Sequence, residues 1–161
     1  MNENMLTPFL QQLPQDVNPI SREGVMLIQR MLEGAPEITD GWEEHFPLTH
    51  RFADGVYARE MFLPAGSIIV GKIHRYGHLN IISKGKCIVL TEFGVKRLEA
   101  PCTFVSEPGT KRVVGTIEDT IWTTLHGVNP DEVGDVDKVE SRIICKTFAE
   151  FDALLQLENK P

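Results

Sequence analysis

Residues 66–85 read GSIIVGKIHRYGHLNIISKG, and this stretch decides the fold. It holds two short β-branched runs, Ser67 to His74 and His78 to Ser83, framed by Gly66 and Gly85. Working outward, runs of the same texture occupy Gly55 to Leu63, Cys87 to Thr91, Val95 to Glu99, Cys102 to Ser106, Lys111 to Glu118 and Thr120 to His126. Pro64-Ala65-Gly66, Lys84-Gly85, Glu92-Phe93-Gly94, Pro108-Gly109 and Glu118-Asp119 close one run before the next, as hairpin turns do. Eight short strands predict an all-β jelly roll of two sheets.

The flanks have a different texture. From Ser21 to Gly34, SREGVMLIQRMLEG sets Val25, Ile28, Met31 and Leu32 on one helical face and ends in a glycine suited to a C-cap. Pro36 stops that helix, and GWEEHFPLTH reads as an irregular connection, so the barrel is expected to begin near Leu48. After His126, GVNPDEVGDVDKVES is acidic and rich in turn formers and reads as a solvated loop. Its Asp131, Glu132, Asp135 and Asp137 lack the spacing of a calcium loop. Thr147-Phe148-Ala149-Glu150 has capping-box spacing before Phe151, Leu154 and Leu155, which predicts a short helix from Phe148 to Leu157. The expected organisation is a helical arm over 1–47, a barrel over 48–132, and a loop and helix over 133–161.

At 161 residues, with 42% apolar and 24% charged side chains, the chain suits one globular domain, and no apolar run approaches the ~20 residues of a membrane-spanning helix. The N-terminus lacks a basic segment followed by an apolar run, so a cytoplasmic protein is expected. Cys87, Cys102 and Cys145 are odd in number and sit among apolar neighbours, as reduced core cysteines do. A net charge of −7 argues against nucleic-acid binding through a general basic surface.

Of the five histidines, His45 and His50 fall in or beside the irregular connection, whereas His74, His78 and His126 lie at strand ends. Strand alternation groups Val70, Lys72 and His74 on one face, His78, Asn80 and Ile82 on a second, and Trp122, Thr124 and His126 on a third. Were those faces to line the barrel, three imidazoles would converge.

The stretch from Gly66 to Gly85 resembles the first sequence motif of the cupin superfamily: Gly, five residues, His, one, His, three or four, Glu, six, Gly. Gly66 and Gly85 occupy the glycine positions and His74 the second histidine, while Lys72 replaces the first histidine and His78 the glutamate. The second motif is matched weakly by FVSEPGTKRVVGT, in which Gly109 fits, Pro108 is displaced by one and Arg112 stands at the histidine position. The resemblance implies a cupin-type double-stranded β-helix with helical extensions at both ends, a homodimer, and a divalent metal held by His74 and His78. His126 serves as a third nitrogen ligand in this reading, and zinc, iron, manganese or nickel are the candidate ions. If catalytic, such a site resembles the family's dioxygenases or isomerases acting on a small molecule. In wider pattern, GKIHRYGHLNIISKG, FVSEPGTKR and IWTTLH are similar to uncharacterised cupin-like proteins of tailed bacteriophages, which makes the cytoplasm of an infected bacterium the expected setting.

Lys72 and Arg112 support a different reading. Two inward cations at ligand positions suit a pocket that sequesters a small anionic metabolite or nucleotide without catalysis, unless a protein carboxylate pairs with them. Glu107 is the expected partner, with Glu60 and Glu118 as alternates. Tyr57, Tyr76 and Trp122 could stack on a flat ligand or simply pack, Asn80 and Thr124 share the histidine-bearing faces, and a purely structural phage component is a third reading.

Overall fold

The computed structural model describes residues 20–34 and 45–158. The expectations for residues 1–19, 35–44 and 159–161, among them the absence of a leader pattern and the stop at Pro36, lie outside the described residues. Helix α1 (Arg22–Glu33) begins at Ser21, whose side chain accepts a hydrogen bond from the Gly24 amide at 3.1 Å. The strands are β1 (Leu48–Ala53), β2 (Val56–Leu63), β3 (Ile68–Val70), β4 (Ile73–His74), β5 (His78–Lys84), β6 (Lys86–Thr91), β7 (Gly94–Glu99), β8 (Cys102–Ser106), β9 (Val113–Thr116), β10 (Thr120–Gly127) and β11 (Ile144–Cys145). A 3-10 turn (Pro130–Glu132) and helix α2 (Val136–Ile143) precede β11, and helix α3 (Phe148–Glu158) follows it.

All strand pairs are antiparallel. They form a five-stranded sheet in the order β1-β2-β10-β5-β8, a four-stranded sheet in the order β3-β9-β6-β7, and the short pair β11-β4. Leu63 and Ile82, with Trp122, from the first sheet meet Cys87, Val89 and Val114 from the second in the main core. The alternate residues of β6, Ile88 and Leu90, face the other way and pack with Val25 of α1 and Val113. Covered on both sides, β6 therefore reads as a continuous apolar run and not an alternating one. Cys87 and Cys145 are buried and all three cysteines are free, as expected.

Several expectations need correction. The predicted strand from Ser67 to His74 is broken at Gly71-Lys72, the last ladder contact being the Gly71 amide on the Arg112 carbonyl at 2.8 Å, one step beyond the Val70–Val113 pair. The predicted strand from Lys111 to Glu118 retains pairing only over Val113–Thr116. A strand outside the eight expected, β1, starts at Leu48, where the barrel is expected to begin, and pairs with β2 through the two-residue turn Asp54-Gly55, with Gly55 at φ +73°. Met31 is 67% exposed and does not share the buried face of Val25. The acidic stretch is no solvated loop. Asp135 caps α2 through the Lys138 amide at 3.0 Å, and α2 buries Val139 and Ile143 against Tyr57 and Val128. Glu132 is buried there too, bonded to Arg142 at 2.5 Å and to the Asn129 amide at 2.8 Å, which holds its carboxyl down to about 2. This clasp fixes one end of the barrel.

Candidate metal centre

Three strands bring the histidines together. His74 ends β4, His78 begins β5 and His126 lies near the end of β10. Their ring centroids are 4.2 Å apart for His74 and His78, 4.6 Å for His78 and His126, and 5.0 Å for His74 and His126. Each offers one nitrogen within 4.8 Å of the others'. An ion at ~2.1 Å from each donor keeps two donors no more than ~4.2 Å apart, so the rings draw together when they share one.

The electrostatics favour neutral rings. Burial, with the neighbouring imidazoles and Arg112 and Arg59 adding to it, pushes His74 far below the ordinary histidine range. Burial also lowers His126 to about 3, reinforced by His78, Arg142 and Arg59. His78 falls to about 4, mainly through burial and opposed by its contact with the Tyr76 carbonyl. That contact, 3.3 Å from Nδ1, identifies Nδ1 as the protonated nitrogen and leaves the lone pair on Nε2. The Nε2 atom of His78 and the Nδ1 atom of His74 are buried without a hydrogen-bond partner. Buried polar atoms are rarely left so. Neutral, unpartnered imidazole nitrogens converging on one point are the donor set a divalent transition ion takes, and the residues fit the group.

A cavity of about 60 Å³ adjoins His74 and His78, lined also by Arg59, Arg112, Trp122 and Thr124. Behind the lining residues Trp122 and Arg112, Asn80 uses every hydrogen-bonding position it has. Its Oδ1 accepts from Trp122 Nε1 at 2.9 Å and Arg112 Nη1 at 3.4 Å, and its Nδ2 donates to Ser106 Oγ at 2.8 Å and the His78 carbonyl at 3.3 Å. Ser106 Oγ also accepts from Arg112 Nη2. Arg112 is thus buried on neutral acceptors with its guanidinium 5.5 Å from the Trp122 ring, and burial lowers its pKa to about 10. The expected partner Glu107 is exposed and does not pair with it, while Glu60 pairs with Arg51 and Glu118 with Lys86. Lys72 does not turn its ammonium inward. It sits at the cavity mouth, half exposed, with Nζ 2.6 Å from Glu140 Oε2. Tyr57 is buried behind His126 and bonded to His50 Nδ1 at 2.7 Å, and Tyr76 is 42% exposed beside Arg142.

The fold is an all-β barrel of two facing antiparallel sheets. No protein-family model matches the sequence, and no curated protein does. Solved structures similar to the chain include KdgF from Halomonas sp., at 17% identity over 59% of this chain and 90% of that one, with a TM-score of 0.47. The salicylate 1,2-dioxygenase of Pseudoaminobacter salicylatoxidans, solved with gentisate, is 12% identical over 64% of this chain and 30% of that one, at a TM-score of 0.46. The Schizosaccharomyces pombe Cnp3 cupin domain is 17% identical over 57% of this chain and 73% of that one, at a TM-score of 0.43. Among the described residues no helix is long and apolar enough to cross a membrane.

Sequence reasoning passed over several cavity residues, and Arg59 is the charged one among them. In β2, Tyr57, Arg59 and Met61 alternate onto the face that pairs with His126, Thr124 and Trp122 of β10. The same period-two rule that grouped the histidines places Arg59 among them.

Proposed function

We propose that the barrel binds one divalent metal ion through His74, His78 and His126 and presents it to a small molecule in the adjoining cavity, in chemistry of the dioxygenase or isomerase type. The observation that carries this reading is the convergence of three neutral imidazoles, two of them with buried nitrogens that nothing satisfies. Zinc, iron, manganese and nickel all suit imidazole donors. A bound ion supplies Lewis acidity and open coordination positions. The protein's own part is to keep the rings neutral by burial, to fix the His78 tautomer through the Tyr76 carbonyl, and to wall the site with Trp122 and Met61. Elemental analysis of protein purified without a histidine tag tests it: wild type carries metal in proportion to chain, and His74→Ala carries none. Metal-free wild type after incubation with zinc, iron, manganese and nickel in turn counts against the site.

The reading extends to a homodimer in the cytoplasm of a phage-infected bacterium. Leu79 and Val105, paired in register and 47% and 59% exposed on the outer face of β5 and the edge strand β8, support the pairing of copies. Light scattering on wild type and Val105→Lys checks it, with the variant expected to be monomeric.

A further inference from the structure

Among the described residues, the cavity beside the histidines is cationic and has no carboxylate in its lining. Of the three cations that border it there, only Lys72 is neutralised, by Glu140. Arg112 rests on the neutral oxygens of Ser106 and Asn80. The Arg59 side chain makes no hydrogen bond or ion pair among the described residues, and its Nε is buried without a partner. A guanidinium N–H withdrawn from water and left unpaired costs free energy that a ligand oxygen recovers. Arg59 is also well placed by the ladder, standing opposite Thr124 between the Tyr57–His126 and Met61–Trp122 pairs.

Charge at the metal leads to the same answer. Three neutral imidazoles leave a dication uncompensated, and two guanidinium groups beside it add to the excess. An anion entering the cavity relieves both. The other walls, Met61, Ile69, Val114 and Trp122, are apolar, and about 60 Å³ holds only a compact group. Planar carboxylates match the guanidinium fork, and apolar walls favour a hydrocarbon body over a fully hydrated anion.

We propose that the cavity takes a compact carboxylate with an apolar body, recognised by Arg59 and supplying the negative charge that the three-histidine centre lacks. The second half of that statement rests on the metal reading; recognition by Arg59 does not.

The test is calorimetric titration of zinc-incubated protein with acetate, isobutyrate and inorganic phosphate at fixed ionic strength, with zinc content measured on the same samples. Wild type is expected to bind a carboxylate more tightly than phosphate. Arg59→Gln weakens that binding by about tenfold or more, and Arg59→Lys restores part of it, because the charge returns without the fork. Zinc content stays the same in all three. Should Arg59→Gln fail to fold by circular dichroism, Arg59→Met and Arg59→Lys carry the comparison. Equal carboxylate affinity in wild type and the folded variants, or preference for phosphate, overturns the proposal. Protein that holds zinc but ignores all three anions overturns it and leaves the metal reading intact. Protein that holds no zinc yet binds isobutyrate through Arg59 supports the carboxylate site and removes the metal reading.

Discussion

Asn80 lies in β5 of one sheet and Arg112 immediately before β9 of the other, and the amide oxygen of the first accepts from the guanidinium of the second at 3.4 Å. The bond belongs to a closed set that also ties down Trp122, Ser106 and the strand bearing His78. Since Asn80 is fully buried, its loss leaves donors on Trp122 and Arg112 with no water to turn to. Asn80→Leu is expected to cost about 3 kcal/mol in urea unfolding, the sum of two or three orphaned buried groups. A cost below about 1 kcal/mol would mean that water enters the barrel floor.

Gly85 occupies the turn between β5 and β6 at φ +89°, and a Cβ built there stands 2.2 Å from the Asp119 carbonyl oxygen. Both the conformation and the space demand glycine. Gly85→Val is expected to lower the melting temperature by roughly 6–12 °C, since strain and displaced backbone together cost about 3 kcal/mol. Gly66, at φ +80°, is expected to show the conformational part of that loss. An unchanged melting curve for Gly85→Val would show that the turn rearranges freely.

The strands, their turns and the convergence of the histidines were legible because alternation holds within each continuous strand. Where continuity fails, so does the count. Lys72 was grouped with His74 by stepping two residues along one strand, but Gly71 and Lys72 fall in the gap between β3 and β4, and the chain turns the ammonium out to Glu140. Helix α2 was hidden for a different reason. The turn formers around Asp135 were read as a loop, although Val136, Val139 and Ile143 carry helical spacing and Asp135 is a ready N-cap. Arg59 could have been found by extending the alternation from Tyr57 by one step. The pairing of Arg112 with Ser106 and Asn80 instead of Glu107 had no sequence signal, because it depends on how the two sheets close.

Acid titration offers a third measurement. Folding holds His78 and His126 at about 4 and about 3, below the ordinary value near ~6.5 that they regain when unfolded. Between those limits the unfolded chain binds more protons, so the stability these groups contribute is complete above ~6.5 and is lost as pH falls through about 4 and then about 3. For metal-free protein, unfolding free energy is expected to decline over that window, and His78→Asn is expected to flatten the upper part of the decline. A metal-loaded sample should keep its ion below pH ~6.5, because the rings resist protonation even before it binds. Release already complete at pH ~6.5 would show rings open to water.

Arg112 gives the most discriminating variant, because its charge and its hydrogen bonds act on the metal centre in opposite senses. The guanidinium lowers the proton affinity of both His74 and His78, and the same repulsion acts on a bound dication. Through Ser106 and Asn80, however, it also steadies the strand that carries His78. Arg112→Met keeps much of the side-chain volume and removes the charge, together with the hydrogen bonds to Ser106 and Asn80. If repulsion dominates, chelator competition at neutral pH should show zinc binding severalfold more tightly in Arg112→Met, roughly threefold to tenfold, with isobutyrate binding weakened at the same time. If positioning dominates, zinc affinity falls instead, and Ser106→Ala reproduces the fall without any change of charge. Measuring both variants separates the two roles, and the burial of Arg112 without a carboxylate makes the first outcome the expected one.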